Sequence, residues 1–126
     1  MEISALSSRV IDCAIEVHRE LGPGLLESTY KQCLAHELER NRIDFKHQYP
    51  LPVIYKETRL KCGYFVNFLI ASNAERLILE VKSLDHLQRI HEAQLLTYMK
   101  LSRIKQGLLI NFNVQRLKEG IISFVL

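Results

Sequence analysis

Residues 77–83 read LILEVKS, an apolar run that contains one acid and one amine. Successive side chains of a β-strand alternate between its two faces, so Glu80 and Lys82 point to the same face. Leu79 and Val81 then point to the opposite face, into a hydrophobic core. A strand that is covered on both faces is normally apolar throughout, so the two charged side chains require an explanation.

One explanation for this pair is chemical. Glu80 can supply an oxygen ligand to a hard cation such as Mg²⁺, while Lys82 positions or activates an attacking water or stabilises phosphate charge. A second acid on the neighbouring strand normally completes such a site. The apolar stretch 63–70 offers only Asn67, whose amide oxygen is neutral. The alternative explanation is a weak ion pair on a half-exposed sheet.

The region around this strand predicts a three-strand antiparallel meander. Residues 46–55, 59–70 and 76–83 are rich in β-branched and aromatic side chains with partial alternation. Polar turns at 56–58 and 72–75 separate the three strands.

Two helices are predicted before the meander. The first begins at a cap supplied by Ser4 or Ser7 and ends at the Gly-Pro-Gly sequence of residues 22–24, which cannot continue a helix. The second runs over residues 26–42. Apolar residues at three- and four-residue steps form the buried stripes of these helices, namely Leu6, Val10, Cys13, Val17 and Leu21 in the first and Tyr30, Leu34 and Leu38 in the second.

Glu27 lies on the apolar stripe of the second helix, because it precedes Tyr30 by three residues and Leu34 by seven. A carboxylate on the inward face of a helix is costly unless it has a partner, which makes Glu27 a candidate for a metal site. A first-turn acid also interacts favourably with the positive end of the helix dipole. The sequence leaves both interpretations open.

Residues 88–103 return to helical spacing and predict a third helix. Gln94 and Tyr98 are four residues apart, so they share a face of this helix and reach the Glu80 end of the sheet if the helix packs across it. His91 is interpreted as a partly exposed helix histidine. Strands are predicted at 107–112, covered on both faces, and at 121–126, giving the order α-α-β-β-β-α-β-β.

Charge is unevenly distributed along the 126 residues, which are predicted to form a single domain, 1–126. The net charge is −3 over residues 1–45 and +6 over residues 46–126. A basic C-terminal part can face a phosphate backbone, with candidate contacts at Lys82, Lys100, Arg103 and Lys105. An ordinary solvated surface is the alternative.

The expected compartment is the cytoplasm, without membrane attachment. No apolar run reaches the ~20 residues of a membrane helix, and the first residues lack the pattern of a secretory signal. Cys13, Cys33 and Cys62 form no Cys-x-x-Cys pair, so we expect three reduced cysteines.

Residues 24–30, GLLESTY, place Gly24, Glu27 and Tyr30 in a Gly-x-x-Glu-x-x-Tyr spacing. This segment, with EVHRELGPG before it and QLLTY and GLLINF after it, resembles the GxxExxY proteins, a family placed in the PD-(D/E)XK nuclease-like superfamily. The resemblance covers nearly the whole chain and implies an α/β fold. The expected fold has a restriction-endonuclease-like αβββαβ core, with a mixed central sheet flanked by helices.

The resemblance also implies roles for individual residues. Glu27 would be a helix acid near the metal, Glu80 a metal ligand and Lys82 the catalytic lysine. Gln94 and Tyr98 would form a supporting motif similar to one in RecB-like exonucleases. The family usually has an Asp where this chain has Asn67. The neutral amide of Asn67 remains a candidate metal ligand, but it weakens a Mg²⁺ site built on few carboxylates.

Three functions follow as hypotheses. The first is a Mg²⁺- or Mn²⁺-dependent nuclease that hydrolyses phosphodiester bonds in DNA or RNA. The second is a catalytically degenerate module that binds nucleic acid without cutting it. The third is a protein-interaction or homo-oligomerisation subunit, which pairs through the last strand if that strand lies at a sheet edge.

Overall fold

The computed structural model describes residues 3–126, apart from the side chain of Cys62. The helices and strands follow the predicted order, with end positions shifted by a few residues at most and one short 3₁₀ helix that the sequence did not predict. The elements are α1 (Ala5–Leu21), α2 (Glu27–Arg40), β1 (Phe45–Tyr55), β2 (Thr58–Ser72), β3 (Glu75–Lys82), α3 (Arg89–Ser102), β4 (Gln106–Asn111), the 3₁₀ helix Leu117–Gly120 and β5 (Ile121–Val125).

The strands form one mixed five-stranded sheet in the order β1-β2-β3-β4-β5. The β1–β2–β3 meander is antiparallel, as predicted. β3 and β4 are parallel, with Ile78 opposite Gly107, because α3 returns the chain to the starting end of the sheet. β5 pairs antiparallel with β4 and lies at an edge.

Helices cover the two faces of the sheet unequally. α1 and α2 pack on one face, where Val10, Tyr30 and Leu34 belong to the same buried cluster as Leu79 and Ile110. On the other face α3 packs Leu95 and Met99 over Ile78 and Leu109. Since side chains alternate along β3, Glu80 lies on the same face of β3 as Ile78, beneath α3.

The ends of α1 match the sequence signals. The Ser4 hydroxyl accepts a hydrogen bond from the Ser7 N–H at 3.1 Å, so Ser4 is the cap of the two candidates. Gly22, with φ of 67°, ends the helix by donating its N–H to the His18 carbonyl. Gly24 also adopts a left-handed φ of 99°, which suits a residue without a side chain.

β1 and β2 extend beyond β3 as a two-stranded arm, defined here as residues 49–66. Regular pairing between β2 and β3 ends at Phe68 opposite Leu79, whereas β1 and β2 stay paired to Tyr55 opposite Thr58. The two residues between these partners have positive φ, the conformation of a tight hairpin turn. The arm therefore leaves the sheet at the end of β3 that carries Glu80 and Lys82.

Within residues 3–126, no helix has the length and apolarity needed to cross a lipid bilayer. Cys13 and Cys33 are free thiols, in agreement with the sequence. The same prediction for Cys62 falls on a side chain outside the described part of the chain.

Gly120 offers a test of the packing between the 3₁₀ helix and the end of β4. A Cβ atom at Gly120 would collide with the backbone carbonyl of Asn111. We expect Gly120→Ala to lower the free energy of unfolding by about 2 kcal/mol, because backbone atoms cannot move aside cheaply. Chemical denaturation followed by circular dichroism measures the change.

Gly63→Ala is the matched control. The nearest atom to a Cβ at Gly63 belongs to the Phe65 ring, at 3.6 Å. This variant should stay within about 0.5 kcal/mol of the wild type. Equal effects of the two substitutions would contradict the packing described at Gly120.

Candidate functional site

Glu80 lies where β2 and β3 separate. Asn67 is directly opposite it, one position beyond the last regular pair, Phe68 and Leu79. Glu80 Oε2 accepts a hydrogen bond from the Asn67 backbone N–H at 2.6 Å, and Asn67 Oδ1 accepts one from the Val81 N–H at 2.8 Å. Side chains thus replace main-chain acceptors across the opening between the strands.

Burial makes the Glu80 carboxyl unusual. The residue is 4% exposed, and burial raises the pKa of its carboxyl from the ordinary 4.5 to about 7. The Asn67 N–H and the Lys82 charge lower the pKa, and the Glu27 carboxylate raises it. An ionised carboxylate buried to this extent is normally paired or bound to a metal.

The second oxygen of Glu80 remains available for a ligand. Among the described residues, only the Asn67 N–H donates to this carboxyl, through Oε2. No buried side-chain oxygen in that part of the chain lacks a partner, so Oε1 keeps contact with solvent. The carboxyl is therefore anchored by one oxygen and open at the other.

Glu27 is the first residue of α2 and approaches Glu80 from the opposite face of the sheet. Both interpretations of this acid therefore agree with its position, at a helix N-terminus and beside the buried carboxyl. Its Oε2 lies 3.5 Å from Lys31 Nζ, and Lys31 also lowers the pKa of Glu80. Sequence reasoning missed Lys31, although its four-residue spacing from Glu27 favours such a pair.

Tyr30 fixes the loop that presents Glu27. Its hydroxyl donates to the Gly22 carbonyl at 2.6 Å and accepts from the Leu25 N–H at 3.2 Å. Its ring stacks on Phe112, with centroids 4.7 Å apart. The Gly-x-x-Glu-x-x-Tyr spacing therefore has a structural basis, since Gly24 allows the turn and Tyr30 holds it.

The same loop is tied to the ends of β3 and β4. The Gly24 N–H donates to Asn113 Oδ1 at 3.0 Å, and the Ser83 hydroxyl donates to the Leu25 carbonyl at 2.6 Å. Buried Asn111 bonds the N–H and the carbonyl of Leu84, each at 2.9 Å. Sequence reasoning overlooked these residues, although an asparagine in a strand predicted to be buried on both faces indicates a side chain that needs hydrogen-bond partners.

Lys82 shares the α3 face of β3 with Glu80 and is half-buried. Within the described part of the chain its amine forms no ion pair at 4.0 Å or less. The simple ion-pair alternative is therefore not formed, although the Lys82 charge still lowers the pKa of Glu80. The amine is free to contact a bound anion.

Gln94 and Tyr98 lie on one face of α3, and Tyr98 is near Glu80. Gln94 Nε2 donates to the Tyr98 hydroxyl at 2.9 Å. Burial raises the pKa of Tyr98, and the nearby Glu80 charge raises it further. His91 instead has a local role at the start of α3, where its Nδ1 accepts from the Gln88 N–H at 2.9 Å.

A cleft of about 500 Å³ lies between α3 and the arm. Tyr64 of the arm and Tyr98 of α3 meet across it in an edge-to-face arrangement, with centroids 6.4 Å apart. Its lining is mostly apolar and consists of Val53, Tyr64, Ile90, Ala93, Gln94, Thr97, Tyr98 and Leu101.

Three candidate phosphate contacts lie elsewhere. Lys100 is in the last turn of α3, and Arg103 and Lys105 precede β4. The parallel register aligns Glu80 with Leu109, four residues beyond Lys105, which corresponds to about 13 Å along the strand. The structure therefore brings Glu27, Asn67, Glu80 and Lys82 to one end of the sheet, with Tyr98 near Glu80. Lys105 lies at the other end, and Lys100 follows Tyr98 by two residues, about 3 Å along the axis of α3.

The donor set at the Glu80 end fits a Mg²⁺ or Mn²⁺ ion that retains water ligands. No group of three or more His, Cys, Asp or Glu side chains in the described residues is placed to enclose a metal. Mg²⁺, however, is usually held by one or two carboxylates together with waters and substrate phosphates. Glu80 and Glu27 meet that requirement, and Asn67 Oδ1 adds a neutral oxygen already bonded to Val81.

Comparisons with known proteins agree with this fold. A family model described as PD-(D/E)XK nuclease superfamily matches residues 4–124. The crystal structure of SSO0001 is similar in fold, with a TM-score of 0.53 and 15% sequence identity, over 97% of this chain and 78% of that chain. The comparison with curated proteins gives no match.

The raised pKa of Glu80 predicts that the protein becomes less stable as the pH rises in metal-free buffer. The folded state binds a proton more tightly than the unfolded state, so this group lowers the free energy of unfolding as pH rises from about 4.5 to about 7. Glu80→Gln removes the effect and keeps a hydrogen-bond acceptor. Above pH 7 the variant should be more stable than the wild type by roughly 2–3 kcal/mol.

Urea denaturation of both proteins at a series of pH values, in EDTA, measures this difference. Glu75→Gln, at the other end of β3, is the control and should follow the wild type. Parallel curves for the wild type and Glu80→Gln would show that the Glu80 carboxyl is not perturbed by its burial.

Proposed function

This chain belongs to the PD-(D/E)XK nuclease superfamily, and we propose that it is a Mg²⁺- or Mn²⁺-dependent nuclease that hydrolyses phosphodiester bonds in DNA or RNA. The observation that carries the proposal is the buried Glu80 carboxyl at the strand opening. It is anchored through one oxygen, open at the other and close enough to Glu27 for their charges to interact.

The Glu80 and Glu27 carboxylates repel each other, and a divalent cation between them would remove that cost. Glu80 and Glu27 would hold the ion, and Asn67 would contribute its amide oxygen. When bound, the cation supplies Lewis-acid activation of the phosphate and of the attacking water.

The cationic side chains would bind the phosphate itself. Lys82 is unpaired among the described residues and lies on the Glu80 face, so its amine can stabilise charge that develops on the scissile phosphate. Lys31 would keep Glu27 in position through their 3.5 Å contact. Tyr98, held by Gln94, would border the site and limit the access of water to Glu80.

Within the superfamily we assign the chain to the GxxExxY group, with residues 1–126 as one domain in the cytoplasm. The assignment is supported by the roles of Gly24, Glu27 and Tyr30 in holding the loop before α2. Lys100, Arg103 and Lys105 remain predicted contacts to nucleic acid, and their distance from Glu80 would place them on a flanking part of the substrate.

A second candidate function is nucleic-acid binding without cleavage, and Asn67 favours it. The amide provides the hydrogen bond to Val81 without a negative charge, so the strand opening is maintained while the metal site loses a carboxylate. Pairing between copies through the β5 edge is a third candidate, supported by the position of that strand.

Cleavage that depends on Glu80 and Lys82 tests the proposal. In Mn²⁺, a panel of labelled single-stranded and duplex DNA and RNA should be cut by the wild type. Glu80→Ala and Lys82→Ala should each reduce the rate by about 10²–10³-fold, because each removes a group that stabilises transition-state charge. Gel analysis of the products measures the rates.

Glu75→Ala and Arg40→Ala are the controls, since Glu75 begins β3 and exposed Arg40 ends α2, both far from Glu80 and Glu27 along their elements. Calorimetry with Mn²⁺ should give saturable binding to the wild type that is absent in Glu80→Ala. Binding of nucleic acid with no cleavage by the wild type would favour the non-cutting module.

Asn67→Asp should strengthen the site. Asp can still accept the Val81 N–H through one carboxylate oxygen, so the bridge between β2 and β3 is kept, and the substitution adds a charged metal ligand. We expect Mn²⁺ affinity to increase about tenfold or more, with a higher cleavage rate. Weaker binding in calorimetry would indicate that the amide group itself is required.

A further inference from the structure

The cleft between α3 and the arm has a surface that the proposed hydrolysis does not require. Ile90 is 67% exposed and Tyr64 46% exposed, and both line the cleft. The arm exposes further large apolar or aromatic side chains, namely Ile54, Tyr55, Leu60 and Phe65. Exposed apolar side chains gathered at a cleft are typical of a binding site.

The charge of the arm indicates the kind of partner. Its outer part carries three exposed cations, Lys56, Arg59 and Lys61, and one exposed acid, Glu57. The amine of Lys56 lies over the Tyr55 ring, 5.4 Å from its centroid. Aromatic side chains interleaved with cations are the features with which proteins bind single-stranded nucleic acid, because bases stack while phosphates pair.

The cleft lies close to the Glu80 site. Tyr64, in its wall, precedes Asn67 by three residues on β2, about 10 Å along the strand, and the Asn67 N–H bonds Glu80. Tyr98, also in the wall, is near enough to Glu80 for that charge to raise its pKa. Gln94, which also lines the cleft, bonds the Tyr98 hydroxyl through its amide nitrogen and leaves its carbonyl oxygen available. A molecule in the cleft would therefore lie near the phosphate position proposed at Glu80 and Lys82.

We propose that the cleft between α3 and the arm binds an unstacked base of single-stranded nucleic acid whose phosphate lies at Glu80 and Lys82. The inference rests on the proposed function, since it takes the Glu80 end as the place where phosphate binds. Tyr64 provides the stacking surface, and Gln94 and Thr97 are the polar groups near the base edge. Lys56, Arg59 and Lys61 contact flanking phosphates.

A second copy of this chain is a less suitable occupant. Its arm would bring the same three cations toward the cleft, which has no acidic residue in its lining. A continuous duplex is also less suitable, because its bases are stacked and paired and cannot enter a cleft bordered by two tyrosines. The cleft and the positive charge of the arm therefore fit a single strand.

The test compares probes that share phosphates and differ in bases. Fluorescence anisotropy in EDTA, where hydrolysis does not occur, measures the affinity of the wild type for a labelled single strand, its duplex and an abasic strand of equal length. The base-bearing single strand should bind about tenfold more tightly than the other two probes, since stacking of a base contributes about 1–3 kcal/mol.

Variants test whether the preference for a base-bearing strand arises at the cleft. Tyr64→Ala should weaken binding of the base-bearing strand about tenfold and leave the abasic strand unchanged, and Tyr64→Phe should retain affinity. Ile90→Ala should cause a smaller loss and is too exposed to prevent folding. Ile15→Ala, which removes a partly exposed apolar side chain from α1 on the opposite face of the sheet, is the control.

The outcomes separate this inference from the proposed function. Equal affinity for the base-bearing and abasic strands overturns the inference, and Glu80-dependent cleavage measured separately then still supports the nuclease. A base preference that requires Tyr64 supports the inference even if no cleavage is found. A change of oligomeric mass in Tyr64→Ala, with oligonucleotide affinity unchanged, would overturn it in favour of an interface between copies.

Discussion

The exchange of hydrogen bonds across the opening between β2 and β3 is the constraint on which the site depends. Two strands that separate inside a covered sheet leave backbone N–H groups without partners, at a cost of a few kcal/mol each. Glu80 and Asn67 satisfy two of these groups with side-chain oxygens. The opening is therefore stable, and it allows one buried carboxyl oxygen to remain accessible while the other is anchored.

The loop before α2 depends on a second set of polar contacts that reach the same end of the sheet. Tyr30 bonds the loop from within, and Ser83 and Asn113 bond it from the ends of β3 and β4. Asn111 holds the following turn at Leu84. Because these contacts come from α2 and from the ends of β3 and β4, Glu27 is placed near Glu80 by the assembled fold and by no single segment.

The arm is a consequence of the same opening. Once β2 leaves β3, the β1–β2 hairpin has no neighbour on that side, and α3 is the element that it meets, through Tyr64 and Tyr98. Gln48, opposite Asn67, adopts a φ of 51°, an uncommon conformation for a residue with a side chain. The backbone thus changes direction where the strands part, and the Glu80 end of the sheet and the aromatic cleft lie next to each other along β2.

The sequence alone determined the α-helices and β-strands, their order and the placement of Glu80 and Lys82 on one strand face. These follow from hydrophobic periodicity and strand alternation, which are local properties. It also identified Gln94 and Tyr98, since their spacing fixes a shared helix face. Tertiary structure alone decided that Asn67 bridges to Val81, that Glu27 lies near Glu80 and that Lys105 lies at the far end of the sheet. These facts depend on strand register and on which helix covers which face, and contacts between distant segments leave no periodic signal in a single sequence.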